Sequence, residues 1–455
     1  MTLLDKQTCL YKSGLALLLI PFFFACDDPS QIGVEVPNTD DQYEVKKAEF
    51  TLPVSTISID SLRTDNTSFS IFGQYSDPVT GKVTATSYNR YRASGGHLPE
   101  SENLQVRAYV VLSVNNFRQD NNVIDDVVNI HEAEDSLFFD AIYLADRMVP
   151  FTQEPMATDT YTFQVSSSEP DSTISFDLGE NFTNFHYQLL LRSNEDSESR
   201  DSLTGNDYFR KPLVFSPGIN NSGLYSIDLQ NDTTGIYLEM IDDNLDTTYY
   251  YKFTFDTKHY SHISRDRSSS LLSDLTEEYQ VSSNAGGFAY VDVMSGVYAK
   301  VGLTPLLEFI ESNEEITVNS AVLSNMSAEN DPSYVDPFNV LQFLFIKDNG
   351  KINGPGLLDR NDIINNIILS DASYTNFNNP NFTPTSATSI YSDSLDYAPV
   401  NVTLFTESLL NNYLDKEDYL TEEVVIFSGA SSSLNQTKLI GSETKLTLYY
   451  TIPKE

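Results

Sequence analysis

The residue with the clearest chemistry is Cys26, which follows a short apolar run near the start of the chain. Two lysines precede the apolar stretch of residues 15–24, and Ala25 stands directly before the cysteine. A basic start, a short apolar core and a small residue are the anatomy of a signal peptide. The run is shorter than the roughly 20 apolar residues that a membrane-spanning helix needs. The sequence therefore predicts a signal peptide over residues 1–25, with cleavage before Cys26.

Cleavage before a cysteine leaves a thiol at the new N-terminus, where it can carry a lipid. Residues Phe23 to Cys26 resemble a bacterial lipobox in which Phe replaces the usual Leu. Burial of an acyl chain is worth about 0.8 kcal/mol per CH2, so two or three chains hold a protein on a membrane. We expect Cys26 to be lipidated; a plain secretory signal with a chance cysteine is the alternative.

Asp27 and Asp28 follow the cysteine directly. They resemble the export signal that sends Bacteroidota lipoproteins to the outer face of the outer membrane. In enterobacteria an aspartate at this place instead retains a lipoprotein in the inner membrane, and a solvated tether is the plain structural alternative. We predict an acidic tether over residues 26–46. The expected location is the outer membrane, with a lipid anchor and the folded body on the extracellular face.

The charge of the chain limits its partners. It holds 27 basic and 65 acidic residues, which gives a formal net charge of -38. Such a field repels phosphates, so we predict no nucleic-acid partner. Divalent cations could collect loosely on this surface, but no cofactor is expected. Trp is absent, which makes a surface built to stack sugars less expected, although tyrosine also serves for stacking.

Other spacings typical of metal or catalytic sites are incomplete. His259 and His262 have the spacing of two metal ligands on one helical turn, but no Cys or Glu ligand follows, and an ordinary surface pair is favoured. Asp242, Asn244 and Asp246 begin like a calcium loop whose sixth position is not glycine. No complete nucleophile, phosphate or dinucleotide motif is present. We therefore predict a protein that is not an enzyme, with no catalytic residue and no metal site.

The elements that carry these residues are mostly strands. Alternating apolar residues, the pattern of half-buried strands, occupy residues 104–114, 174–178, 249–255, 316–322 and 446–452. Helical periodicity is brief and is confined to residues 180–191, 268–279 and 405–414. The predicted fold class is all-β, with two tandem antiparallel β-sandwich domains of jelly-roll-like form and a few short helices.

A weak internal repeat supports two domains. Residues 172–229 and residues 398–440 each predict a strand, a short helix, a polar loop and further strands. We place an N-terminal domain at 47–281 and a C-terminal domain at 282–455; chance similarity between β-rich segments is the alternative. Two polar stretches, 194–207 and 371–398, exceed ordinary hairpin loops, and partners would be contacted there.

Three stretches carry a family resemblance. They are CDDPSQIG after the cleavage point, GQYSDPVTGKVTATSY at residues 73–88, and GGFAYVDVMSGVYAKVGLTPL at residues 286–306. Together they resemble a family of exported Bacteroidota lipoproteins classed only as a domain of unknown function. The resemblance implies export and a β-rich fold but no activity. For the YSDPVTG segment, an ordinary turn at Pro78 between two strands is the alternative to a binding site.

The leading functional hypothesis is a non-catalytic interaction module. In this hypothesis the lipid anchor attaches the protein to the membrane. Its loops contact an outer-membrane β-barrel protein during export, assembly or uptake. A surface glycan-binding or adhesion protein is the alternative, and tyrosines exposed on a sandwich face would favour it. A hydrolase would need two buried carboxylates about 5 to 9.5 Å apart in a cleft. Neither a small-molecule ligand nor its binding residues follow from the sequence.

Overall fold

The computed structural model describes residues 43–454, apart from a set of gaps. The gaps are residues 61, 66, 68, 95–97, 100–103, 120–124, 162–171, 196–210, 314, 325, 328–336, 348–387, 392–395, 411–418 and 429–433. Cys26, Asp27 and Asp28 lie outside the described residues, as do the predicted signal peptide and most of the predicted tether. Most of the two long polar stretches lies outside them as well.

Strands dominate the described chain, and their bounds follow its order. The strands are β1 (Tyr43–Thr51), β2 (Val54–Ser58), β3 (Phe69–Asp77), β4 (Gly81–Ala93), β5 (Leu104–Gln119), β6 (Asp126–Glu132), β7 (Ala157–Tyr161), β8 (Ser172–Asp177), β9 (Leu213–Pro217), β10 (Gly223–Asp228), β11 (Gly235–Asp242), β12 (Thr247–Asp266), β13 (Phe288–Asp292), β14 (Val297–Gly302), β15 (Thr317–Ser324), β16 (Met326–Ser327), β17 (Val340–Lys347), β18 (Thr388–Ile390), β19 (Asp396–Tyr397), β20 (Val400–Asn401), β21 (Tyr419–Ser428), β22 (Gln436–Ile440) and β23 (Lys445–Pro453). The described helices are α1 (Gly179–Glu195), α2 (Thr304–Glu311) and α3 (Thr403–Leu410). The predicted all-β fold class is confirmed.

The largest sheet contains ten strands, and part of it closes on itself. Strand β12 pairs with β11 through its first half and with β4 through its second half. Strands β12, β11, β5, β10, β3 and β4 therefore form a closed ring of antiparallel pairings. Strands β9, β6 and β7 continue from β4, and β8 pairs with β5. A strand as long as β12 allows this closure because its right-handed twist turns its two ends toward different neighbours.

The main hydrophobic core lies against this sheet. The inward residues of β5, Ala108, Val110 and Leu112, are fully buried, as alternation in that strand predicts. Helix α1 packs beside them, and the Thr183 hydroxyl accepts a hydrogen bond of 2.9 Å from the Ala108 amide. Helix α1 confirms the helix predicted for residues 180–191.

The C-terminal part of the chain builds the smaller sheets. A seven-stranded sheet has the order β18-β17-β21-β14-β13-β22, with β2 paired to β14. Strand β2 thus joins strands that follow it by more than 200 residues in the chain, with Val54 opposite Val301. A four-stranded sheet contains β1, β23, β15 and β20, and β16 pairs with β19. The division into two domains after residue 281 stays a prediction.

Compact packing groups the described residues within Lys47–Tyr450 into one unit, and the described residues 43–46 and 451–454 into another. The described residues of the second unit are the start of β1, the end of β23 and Lys454. All side-chain clusters considered below belong to the first unit. Within the described part of the chain, no helix is long and apolar enough to cross a membrane.

The helix predicted for residues 268–279 is wrong. This segment forms turns, and the Leu271 and Leu272 amides donate to the Pro78 and Val79 carbonyls instead of to their own segment. Serine and aspartate are frequent here, and their side chains compete for backbone groups that a helix would use. Helix α2 was not predicted, and α3 covers the described part of the segment predicted at 405–414.

Candidate interaction surface

Two of the three stretches that carry the resemblance, residues 73–88 and 286–306, meet in the interior around Arg118. The turn at Pro78 joins β3 to β4, and the Asp77 carboxylate accepts the Val79 and Thr80 amides at 2.7 and 2.8 Å. The alternative interpretation of YSDPVTG, an ordinary turn, is thus observed. The other Asp77 oxygen accepts a 2.9 Å hydrogen bond from the Arg118 guanidinium.

Arg118 bridges strands that are far apart in the sequence. Its guanidinium also donates to Asp292 at 2.8 Å and to the Gln436 side chain at 2.9 Å, and it lies 4.4 Å from the centre of the Tyr75 ring. These partners stand on β13, β22 and β3, so one buried cation links the ten-stranded sheet to the seven-stranded sheet. The position of Arg118 therefore depends on the packing of both sheets, because a buried charge is costly unless it is paired.

The pKa of the Asp292 carboxylate is set by two opposing effects, burial and pairing with Arg118. Burial raises its pKa, but the charge of Arg118 and hydrogen bonds from Arg118 and Ser295 outweigh burial and leave the pKa below its usual value. Asp77 and Asp292 are both buried and both bind the same guanidinium. The pair therefore neutralises an internal cation, and its carboxylates do not face an open cleft as a hydrolase would require.

Four exposed apolar side chains lie on the connection between β6 and β7. We call residues 137–149 the apolar loop. Its large apolar side chains are about half exposed: Phe138 51%, Phe139 51%, Ile142 47% and Met148 57%. Single exposed apolar residues are ordinary, but four within eleven positions are a concentration typical of interaction sites.

The apolar loop is held rigidly from beneath. Tyr143 is buried and stacks on Tyr260, which stacks in turn on Tyr88, with ring centres 4.8 and 4.6 Å apart. The Tyr260 hydroxyl accepts from the Val149 amide at 3.1 Å, and the Tyr88 hydroxyl donates to the Val149 carbonyl at 2.8 Å. At the other end, the Phe138 amide donates to the Tyr143 hydroxyl at 3.0 Å.

Buried cations reinforce the same support. The Arg90 guanidinium donates to the Leu137 carbonyl at 3.0 Å and lies 4.3 Å from the centre of the Phe139 ring. The Lys258 ammonium donates to the Ala141 carbonyl at 2.5 Å and to Asp65 at 2.7 Å. An irregular loop fixed by this many bonds presents its apolar side chains with little entropy left to lose on binding.

The histidine pair and the calcium-like loop considered in the sequence both lie in β-hairpin structure. His259 and His262 lie on strand β12 and not on a helix, so their side chains point to opposite faces. His259 is buried, which corrects the expectation of a surface pair, and burial lowers its pKa. Asp242 begins the hairpin turn between β11 and β12, and its carboxylate accepts the Asn244 and Leu245 amides.

Metal ligands do not gather anywhere in the described ranges: no group of three or more His, Cys, Asp or Glu could hold an ion there. The predicted lipidation residue Cys26 and its neighbours Asp27 and Asp28 lie outside those ranges. Sequence reasoning missed the apolar loop, because it searched long polar stretches for contact surfaces. The FF pair in SLFFDAIYL was the available signal.

Fold and surface together define an all-β protein with an exposed apolar loop that is hydrogen-bonded from beneath. No protein-family model matches the chain, and no curated protein is significantly similar to it.

Proposed function

We propose that this chain is a lipid-anchored, non-catalytic interaction module whose apolar loop contacts an outer-membrane β-barrel protein. The observation that carries the proposal is the exposure of Phe138, Phe139, Ile142 and Met148 on a loop that is fixed from beneath. A few large side chains in a preorganised patch supply most of the binding energy of a typical protein interface. The loop is suited to a partner in export, assembly or uptake.

The composition of the loop favours a protein partner over a lipid surface. Arg147 is exposed between Asp146 and Met148, and its guanidinium donates to the Ile142 carbonyl at 3.3 Å. Phe, Met and Arg are enriched in the cores of protein interfaces. Asp140 and Asp146 stand among the apolar side chains, and anionic headgroups would repel them.

The anchor is the second part of the proposal. Cys26 carries the lipid, Asp27 and Asp28 direct the chain to the extracellular face of the outer membrane, and acyl chains keep it there. The resemblance to exported Bacteroidota lipoproteins supports this location. A module tethered beside a membrane protein meets it at a raised effective concentration, so a modest patch suffices for stable contact.

The experiment is purification of the full-length tagged protein from native outer membranes in mild detergent. The loop variant is F138S/I142S/M148S, and the matched control I219S/L245S/I390S changes three apolar residues elsewhere that are at least as exposed. We expect a β-barrel protein to co-purify with the wild type and the control, and to fall at least ten-fold with the loop variant.

Two results would contradict the proposal. If the wild-type protein purifies alone, it has no β-barrel partner. If the loop variant retains the partner, the apolar loop is not the contact. If the loop variant instead loses binding to protein-free vesicles of outer-membrane lipid, the loop contacts the bilayer. Mass spectrometry tests the anchor separately, because an unmodified Cys26 thiol in the mature protein would exclude lipidation.

A further inference from the structure

The sulfur-containing side chains of this protein differ widely in their exposure to water. The chain holds six methionines and two cysteines, and five of the methionines lie within the described residues. Among these five, Met156 is half-buried and packs against the main core. Met148, on the apolar loop, is 57% exposed. The other three are buried in the interior: Met240, Met294 and Met326.

The backbone on both sides of Met148 is fixed. The Val149 amide and carbonyl are bonded to two buried tyrosine hydroxyls. On the other side, the Arg147 amide donates to the Leu144 carbonyl at 3.1 Å, and the Arg147 guanidinium lies 4.8 Å from the centre of the Tyr143 ring. Withdrawal of the Met148 side chain into the core would break these contacts. Its thioether is therefore held where dissolved molecules reach it.

A thioether in water reacts with peroxides, and the product is a sulfoxide. The methionine sulfur gives a lone pair to one oxygen of hydrogen peroxide, and the O–O bond breaks. The second oxygen leaves as hydroxide and takes the proton of the first, so that the products are a sulfoxide and one molecule of water. Sulfur loses two electrons, the peroxide gains them, and no bond of the chain breaks. A buried sulfur reacts only when the surrounding structure opens.

We propose that hydrogen peroxide oxidises Met148 before the other described methionines, and that the sulfoxide weakens the contact made by the apolar loop. The second half of this inference rests on the proposed function, because the sulfoxide changes the loop that binds the partner. A thioether is apolar and adapts its shape to a partner surface, whereas a sulfoxide is polar. A sulfoxide oxygen buried in an interface without a donor carries the cost of an unbonded polar group.

The size of the effect follows from that cost. Leaving one buried polar group without a hydrogen bond costs about 1–3 kcal/mol. A ten-fold loss of binding corresponds to about 1.4 kcal/mol, so one sulfoxide suffices for it. The change is also reversible, because methionine sulfoxide reductases restore the thioether. In the proposed mature chain the thiol of Cys26 carries the lipid, so no free thiol competes with Met148 for the oxidant.

The site of oxidation is tested without any partner. The full-length protein is treated with hydrogen peroxide at neutral pH, and its peptides are followed by mass spectrometry over time. We expect the peptide that contains Met148 to gain one oxygen at least ten-fold faster than the peptides of Met156 and Met240. In urea at a concentration that unfolds the chain, the three peptides should react at similar rates, because exposure causes the difference.

The consequence for binding is tested with the oxidised protein. Purified tagged protein is treated with peroxide, freed of oxidant and mixed with detergent-solubilised outer membranes. The measured quantity is the amount of β-barrel partner captured after peroxide divided by the amount captured before it. We expect this ratio to fall to about one tenth for the wild type and for the control Met156→Leu. For Met148→Leu the ratio should stay near one, and methionine sulfoxide reductase should restore capture by the oxidised wild type.

Four results decide against the inference or part of it. Equal oxidation rates of Met148 and Met156 in the folded protein overturn the preferred site. A partner that is still captured after complete oxidation of Met148 overturns the effect on binding and leaves the proposed function intact. An equal loss of capture by Met148→Leu assigns the effect to another residue and overturns the role of Met148. If untreated wild type captures no partner, the proposed function and the effect on binding fail together, and the oxidation rates alone decide the preferred site.

Discussion

Replacing Arg118 with methionine tests the role of the buried network most directly. The substitution removes the cation that Asp77 and Asp292 bind at 2.9 and 2.8 Å, and it leaves two carboxylates in the interior. Removal of one partner of a buried ion pair costs about 3–5 kcal/mol. We expect Arg118→Met to lower the free energy of unfolding by about 4 kcal/mol at pH 7.

The pH dependence of this loss gives a sharper test. In the wild type the pKa of Asp292 is below its usual value, so its stabilising effect is present above about pH 4 and is lost as pH falls through the folded-state pKa. Without Arg118, burial raises the pKa of Asp292, so protonation relieves the variant as pH falls. The stability difference between wild type and variant should therefore be smaller at pH 5 than at pH 7.

The assay is urea unfolding of the full-length protein, followed by circular dichroism and by tyrosine fluorescence, since the chain has no Trp. The control Arg192→Met removes an exposed arginine of α1 and should change stability by less than about 0.5 kcal/mol. The double variant R118M/D292N should recover part of the loss. A loss below about 1 kcal/mol, or a difference that is equal at pH 5 and pH 7, would refute the reasoning.

Three further predictions concern acid stability, backbone strain and the anchor. Burial lowers the pKa of His186 from 6.5 to about 4. The unfolded chain therefore binds a proton that the folded chain does not, and the free energy of unfolding falls by up to about 3 kcal/mol as pH drops from 6.5 to 4. His186→Gln should flatten this pH dependence in urea titrations. Gly73 has a φ of +119° and an added methyl would overlap the Gly223 carbonyl, so Gly73→Ala should cost more than about 2 kcal/mol in thermal unfolding. The control Gly287→Ala has a φ of +87° but open space and should cost about 1 kcal/mol; equal losses would refute the overlap. Cys26→Ser should abolish the lipid mass and move the protein from the membrane to the soluble fraction, and membrane retention would contradict the anchor.

The sequence predicts those features that depend on neighbouring residues. Alternation over residues 104–114 predicts β5 because a strand sends successive side chains to opposite faces, and Pro78 predicts the turn that follows β3. Helix α1 follows from the periodicity of residues 180–191. Segment 268–279 shows the limit of such reasoning, because the Leu271 and Leu272 amides bind the carbonyls of the Pro78 turn and the segment forms turns instead of a helix.

Only the tertiary structure decides which side chains meet. Arg118 binds partners that are 41, 174 and 318 residues away, and no periodicity in the chain reports those distances. The apolar loop is likewise decided by the tertiary structure, because Tyr143 is buried beneath the loop whereas Phe138 is exposed. Local sequence decides which segments form strands, helices or turns and which side chains share a strand face. Pairing between remote strands decides which buried charges find partners and which apolar side chains stay exposed to water.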